Sequence, residues 1–137
     1  MRIWTLGAKV PDLDAEIAFV ERLGGELVLD DRIPFGEREF RVPLLRFGDK
    51  YLHLAEEMVY ESSLAEPLPA GLCHVVFEVD DLDRSRQAAL DAGATEITPP
   101  ARVEAGFGTR DVAFLRSPGG ILFELIRITD HAVPRPG

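Results

Sequence analysis

His53, His74 and Glu124 each stand inside a short apolar run: Tyr51-Leu52-His53-Leu54, Leu72-Cys73-His74-Val75-Val76-Phe77 and Leu122-Phe123-Glu124-Leu125-Ile126. Runs of this kind read as strands. Two imidazoles and one carboxylate are a donor set for a divalent first-row metal with open coordination positions. The same set with one open position is a catalytic zinc pattern. A metal held this way acts as a Lewis acid on a small substrate. A lone strand histidine is more often structural than functional, so the chemistry depends on whether something brings these three remote residues together.

An internal repeat does so. Val10-Pro11-Asp12-Leu13-Asp14 lies over Val79-Asp80-Asp81-Leu82-Asp83 at an offset of 69, which also carries Gly24 onto Gly93. Val42 to Arg46 lies over Val112 to Arg116 at an offset of 70, and Tyr51 to Leu54 over Leu122 to Leu125 at an offset of 71. Self-similarity of this kind is the mark of a duplicated structural unit. Within it His53 and Glu124 are equivalent, and His74 is equivalent to Thr5. A pseudo-two-fold relating the copies brings these four places together near its axis.

Each copy reads as strand, helix and three strands. Arg2 to Val10 and Leu72 to Val79 are first strands. Asp12 and Asp81 supply helix N-caps, their carboxylates accepting from exposed backbone N–H groups. The helices run to about Leu23 and Ala92, and Gly24 and Gly93 supply C-terminal turns that need positive φ. Leu13, Ile17 and Val20 form an apolar stripe at helical spacing; the second stripe, Leu82, Ala89 and Leu90, is weaker. The remaining strands are predicted at Glu26 to Asp31, Glu39 to Phe47 and Lys50 to Glu56, then at Glu96 to Pro99, Thr109 to Arg116 and Gly120 to Ile128. This is an α+β chain of two βαβββ modules, 1–56 and 71–128, forming a cupped mixed sheet with helices outside and a hollow inside. Residues 57–70 have no counterpart in either copy and read as a linker; 129–137 read as a fraying tail, with His131 solvated.

Strand alternation turns His74 toward the hollow, away from the face carrying Cys73, Val75, Phe77 and Val79. Tyr51 and Leu122 share faces with His53 and Glu124 and are candidate pocket residues. Arg110 precedes a strand near the expected rim, where it is placed to pair with a substrate carboxylate or phosphate. Glu56 and Glu57 follow His53 closely, but His53 has the better match in the repeat. Cys73 reads as a small core residue. Asp80 and Asp81 read as capping plus a solvated face. The glycine-rich pieces at 106–108 and 118–120 lack the strand–loop–helix context of a phosphate loop.

The chain has 137 residues, 15 Lys and Arg against 24 Asp and Glu, and a net charge of −9. That balance repels phosphate backbones and anionic lipid, which argues against nucleic acid and membrane partners. Its single cysteine excludes an intramolecular disulfide and fits a reducing cytoplasm. No apolar run approaches membrane-spanning length, and the N-terminal one is too short for a signal peptide.

With its paired strand-then-DLD helix starts and the run Phe114 to Ile126, FLRSPGGILFELI, the chain resembles the vicinal oxygen chelate superfamily from about Met1 to Ile128. That group includes glyoxalase I, methylmalonyl-CoA epimerase, extradiol dioxygenases, fosfomycin-resistance thiol transferases and bleomycin-binding proteins. The resemblance implies a divalent metal (Fe, Mn, Ni, Co or Zn) at the places of Thr5, His53, His74 and Glu124. It implies a small substrate chelating that metal through two oxygens, with Glu124 a ligand first and a proton carrier only conditionally, and a homodimer. Glyoxalase-like and epimerase-like members carry His or Gln at the place of Thr5, and Glu or Gln at the place of His53. The resemblance therefore implies a lyase, an isomerase or a dioxygenase, or alternatively a metal-free binding protein of the bleomycin-resistance type.

Overall fold

The computed structural model describes residues 1–134 and residue 136. Strand β1 (Arg2–Lys9) is followed by helix α1 (Leu13–Arg22) and strands β2 (Glu26–Phe35), β3 (Arg38–Phe47) and β4 (Lys50–Ala55). The second half repeats the order: β5 (Gly71–Glu78), α2 (Leu82–Asp91), β6 (Thr95–Ala105), β7 (Gly108–Arg116) and β8 (Leu122–His131). The strands form one eight-stranded sheet in the order β2-β3-β4-β1-β5-β8-β7-β6. Read from either edge inward, each half contributes the same sequence of elements.

The halves meet where β1 and β5 pair antiparallel. Here Thr5 opposes Val76 and Gly7 opposes His74. The 69-residue offset carries Thr5 to His74 and Gly7 to Val76, turning each pair into the other. The flanking parallel ladders obey the same symmetry, since Gly7 opposes His53 across β1 and β4, and Val76 opposes Glu124 across β5 and β8.

The helices start where the sequence places their caps. Asp12 Oδ1 accepts from the Ala15 N–H at 3.0 Å and Asp81 Oδ1 from the Arg84 N–H at 3.0 Å, each satisfying a donor that the helix itself leaves open. Gly24 and Gly93 follow the helix ends at φ 97° and 105°, in the left-handed region that favours glycine. Against the outer face of the sheet, α1 buries Leu13, Ile17 and Val20 with Leu45 and Leu54, while α2 buries Leu82 with Ala113, Leu115 and Leu125. The inner face holds the third and largest core, with Trp4, Phe40, Leu44, Tyr51, Val76, Val112, Phe114 and Ile126 among its members. None of the helices among the described residues is long and apolar enough to cross a membrane.

Several segments depart from the sequence reading. Strands β2 and β6 are longer than expected and lie close enough to curl the sheet toward closure. Asp31 of β2 clasps that closure: its carboxylate accepts from the Gly106 N–H at 2.9 Å and the Phe107 N–H at 3.2 Å. Strand β8 continues to His131, pairing Asp130 with Thr109 and His131 with Gly108. The expected fraying therefore does not begin at residue 129, and His131 is half-buried with its ring edge-on to Trp4 at 5.3 Å. Leu68 and Tyr60 carry the largest departure, because the linker 57–70 folds back into the inner core.

Candidate functional site

The site grows out of one row of the sheet. His53 on β4 and His74 on β5 both lie beside Gly7 of β1, one on either side. In-register neighbours are about 5 Å apart, so the two histidines start about 10 Å apart at their backbones. Gly7 has no side chain to fill the lane between them. A Cβ there would come within 2.2 Å of His74 Cε1, so the imidazole lies over the glycine backbone. Glu124 enters from β8, beside Val76 and one strand beyond His74. His53, His74 and Glu124 line one cavity of about 60 Å³, room for roughly four waters. Its remaining walls are mostly apolar and include Ile33, Val103, Phe107, Phe114 and Ile126.

The linker supplies a fourth polar group. Met58, Val59 and Tyr60 also line the cavity. The Tyr60 hydroxyl and His74 Nδ1 share a hydrogen bond of 2.9 Å, and the tyrosine ring stacks at a tilt on Phe114 with centroids 4.7 Å apart. Buried Glu61 locks the segment in place. It accepts from the Lys9 ammonium, the Met58 N–H at 3.0 Å and the Leu68 N–H at 3.1 Å. Neither Tyr60 nor Gly7 stands out in the sequence. Both meet the same side chain, His74 of β5.

Burial dominates the electrostatics. It takes the His53 imidazole down to about 3, helped by the charges of His74 and Arg110, and takes His74 down to about 4. It pushes the Glu124 carboxyl up to about 8 against the pull of the Arg110 guanidinium. Tyr60 is raised well above the usual phenol range by burial, with Cys73, Glu124 and Glu61 adding to it. Charged forms lose hydration in an apolar cavity and are disfavoured. At neutral pH the site therefore holds two neutral imidazoles and a largely protonated acid.

The other candidates fall elsewhere. Thr5 is 2% exposed and its hydroxyl donates to the Leu6 carbonyl at 3.1 Å, so it does not line the cavity. Tyr51 is buried beside Trp4, their ring centroids 5.4 Å apart, and Leu122 is buried in the same inner core. Arg110 lies inside the protein rather than at the rim. It is 0% exposed, donates to the Phe107 carbonyl at 3.0 Å and the Asp130 carbonyl at 3.1 Å, and lies over the Phe107 ring at 4.3 Å. Glu56 accepts from the Leu13 N–H at the start of α1, and Glu57 pairs with Arg38 on the surface. The Cys73 thiol is half-buried and pushed up by that burial, as expected of a packing residue rather than a nucleophile.

The donor chemistry fits a divalent metal. His53 Nε2 is buried without a hydrogen-bond partner, which is costly unless something binds there. The imidazoles are in the neutral form that ligates metal. Side-chain placement is looser than the donor chemistry. Among the described residues no three His, Cys, Asp or Glu side chains are drawn together closely enough to hold an ion. The three share a cavity, and closing on a cation requires them to turn toward one another.

Comparison with known proteins agrees with this architecture. The model of the Glyoxalase/Bleomycin resistance protein/Dioxygenase superfamily matches residues 6–114. A probable lactoylglutathione lyase of Vibrio parahaemolyticus is 28% identical over 121 residues, covering 87% of this chain and 85% of that protein. A putative lactoylglutathione lyase of Brassica oleracea var. gemmifera is 27% identical over 87% of this chain, which spans only 42% of that longer protein. Among solved structures, a Streptomyces coelicolor methylmalonyl-CoA epimerase variant in complex with 2-nitronate-propionyl-CoA superposes with a TM-score of 0.72 at 25% identity, covering 94% of this chain and 98% of that one. A superfamily member from Vibrio splendidus 12B01 shares the fold at a TM-score of 0.59 and 18% identity, with 93% and 97% covered. The duplicated βαβββ register and the family match over most of the chain lead to one conclusion: this protein belongs to the glyoxalase/bleomycin resistance protein/dioxygenase superfamily.

Proposed function

We propose that the protein is a small-molecule lyase or isomerase that moves a proton at a carbon next to a carbonyl, using a divalent cation held by His53, His74 and Glu124. The observation that carries this reading is the orphaned His53 Nε2, buried in the same cavity as His74 and Glu124. The lactoylglutathione lyase and epimerase relatives support it over an oxygenase. A bound cation would supply Lewis-acid stabilisation of negative charge developing on a carbonyl oxygen. The chain's own residues do the rest. The apolar walls exclude water and strengthen every electrostatic interaction inside. Burial raises the Glu124 carboxyl to about 8 in the metal-free site, and a bound cation would draw it back toward the ligating carboxylate, the form that can also accept a proton.

The test is deuterium exchange followed by proton NMR in heavy water. The panel is α-hydroxy thioesters and 2-substituted malonyl thioesters, with and without added Mn²⁺, Co²⁺, Ni²⁺ or Zn²⁺. The proposal expects cation-dependent exchange at the carbon beside the carbonyl, lost in Glu124→Gln. Exchange on no member of the panel, or exchange unchanged in Glu124→Gln, contradicts it.

A second reading has its own support. The Thr5 hydroxyl turns to a backbone carbonyl, and the three donors are not drawn together. A metal-free cavity that sequesters a small apolar molecule is consistent with both. Tight binding of such a molecule that is indifferent to added cations distinguishes it.

A further inference from the structure

We infer that Tyr60 and Gly7 are positioning residues for His74, together forming the seat that decides which ring nitrogen faces a ligand. This inference rests on the reading of His74 as a donor to a bound cation. Three observations converge on one imidazole. Beneath it, Gly7 leaves the space a Cβ would fill, with contacts of 2.2 to 2.7 Å to Cε1, Nε2 and Nδ1. At its Nδ1 edge stands the Tyr60 hydroxyl at 2.9 Å. Beside it Phe114 meets the ring edge-on, centroids 6.1 Å apart. Only the Nε2 edge is left to meet a ligand.

The identity of the Nδ1 partner matters. A carbonyl or carboxylate can only accept, and so would fix the proton on Nδ1. A hydroxyl both donates and accepts. Tyr60 is 1% exposed, so its O–H needs a partner inside the protein, and Nδ1 is the one the structure provides. Donation to Nδ1 leaves the proton of the neutral imidazole on Nε2. A cation on Nε2 would require the imidazole proton on Nδ1, where the hydroxyl could only accept and its own O–H would lose the partner the structure provides. The hydroxyl thus orients the ring and favours the tautomer in which Nε2 carries the proton. Tyr60 comes from the segment that lies outside both copies of the repeat, so this half of the seat has no symmetry-related counterpart.

Long-range proton–nitrogen NMR on the metal-free protein reads the tautomer without any cation present. Wild type is expected to show His74 as a single Nε2–H tautomer, and Tyr60→Phe, which keeps the ring on Phe114, a mixture of both. Co²⁺ titration followed by visible absorption is expected to show affinity raised about fivefold in Tyr60→Phe, the worth of the one hydrogen bond that holds the proton on Nε2. Gly7→Ala, which displaces the ring from beneath, is expected to shift the His74 nitrogen resonances and to weaken Co²⁺ binding. Identical His74 tautomers in wild type and Tyr60→Phe overturn the inference, as does unchanged Co²⁺ affinity in Tyr60→Phe. Should wild type take up no Co²⁺ while the tautomer still depends on Tyr60, the positioning role stands and the cation reading fails.

Discussion

The two halves of the molecule share a register but differ in chemistry. Gly7 stands beside His53 as Val76 stands beside Glu124, and Thr5 stands opposite Val76 as His74 stands opposite Gly7. Backbone position is conserved across the duplication while the side chains diverge. One half places a buried hydroxyl and an imidazole at its two site positions, the other an imidazole and a carboxyl. The helices diverge too: α1 buries three apolar residues where α2 buries one. Symmetry in this protein therefore fixes where equivalent residues stand in the sheet, and each half remains free to vary which side chain stands there.

The difference between the helices predicts the largest effect. Ile17→Ala in the well-packed first half should cost about 2–4 kcal/mol in urea denaturation, the usual range for a large core truncation. Leu90→Ala in α2, whose side chain is only half-buried, should cost about 1 kcal/mol. Equal losses would mean that the second helix is held as firmly as the first.

The equivalent places of His53 and Glu124 predict opposite pH dependences. The Glu124 carboxyl is raised from 4.5 to about 8, so between those values the folded state holds a proton that the unfolded state has released. Stability is then full below about pH 4.5 and falls as pH rises toward 8. His53 is lowered from 6.5 to about 3, so stability is full above about pH 6.5 and falls as pH drops toward 3. In metal-free protein Glu124→Gln should therefore flatten the alkaline arm alone, gaining about 3–4 kcal/mol at pH 9 relative to pH 5. Loss of the acid arm in that variant would show that the two titrations had been assigned to the wrong halves.

The smallest effect tests where the halves are alike. Asp12→Ala and Asp81→Ala remove caps of the same geometry and should each cost about 1 kcal/mol, read as matching shifts in denaturation midpoint. Unequal costs would place a further difference at the helix starts.

Much of this was legible in the sequence because it is local or repeated. Asp12 and Asp81, Gly24 and Gly93, and the strand runs around His53, His74 and Glu124 announce themselves by spacing, and the offset alone pairs Thr5 with His74. What could not be read depends on contacts between remote segments. Gly7 looks like any strand glycine until the His74 imidazole is laid over it. Tyr60 sits in a segment with no periodicity, carried inward by the Glu61 anchor to Lys9 and by packing in the inner core. Arg110 reads as a rim cation because its burial rests on the carbonyls of Phe107 and Asp130. His131 reads as a frayed tail because its strand is held by pairing with Gly108.

The most direct measurement is elemental analysis of protein purified without chelator, repeated on His74→Ala. The account predicts about one first-row transition metal ion per chain in wild type and its loss in the variant. Equal metal in both proteins, or none in wild type even after incubation with Mn²⁺, Co²⁺, Ni²⁺ and Zn²⁺, would contradict the claim that His53, His74 and Glu124 converge on one cation.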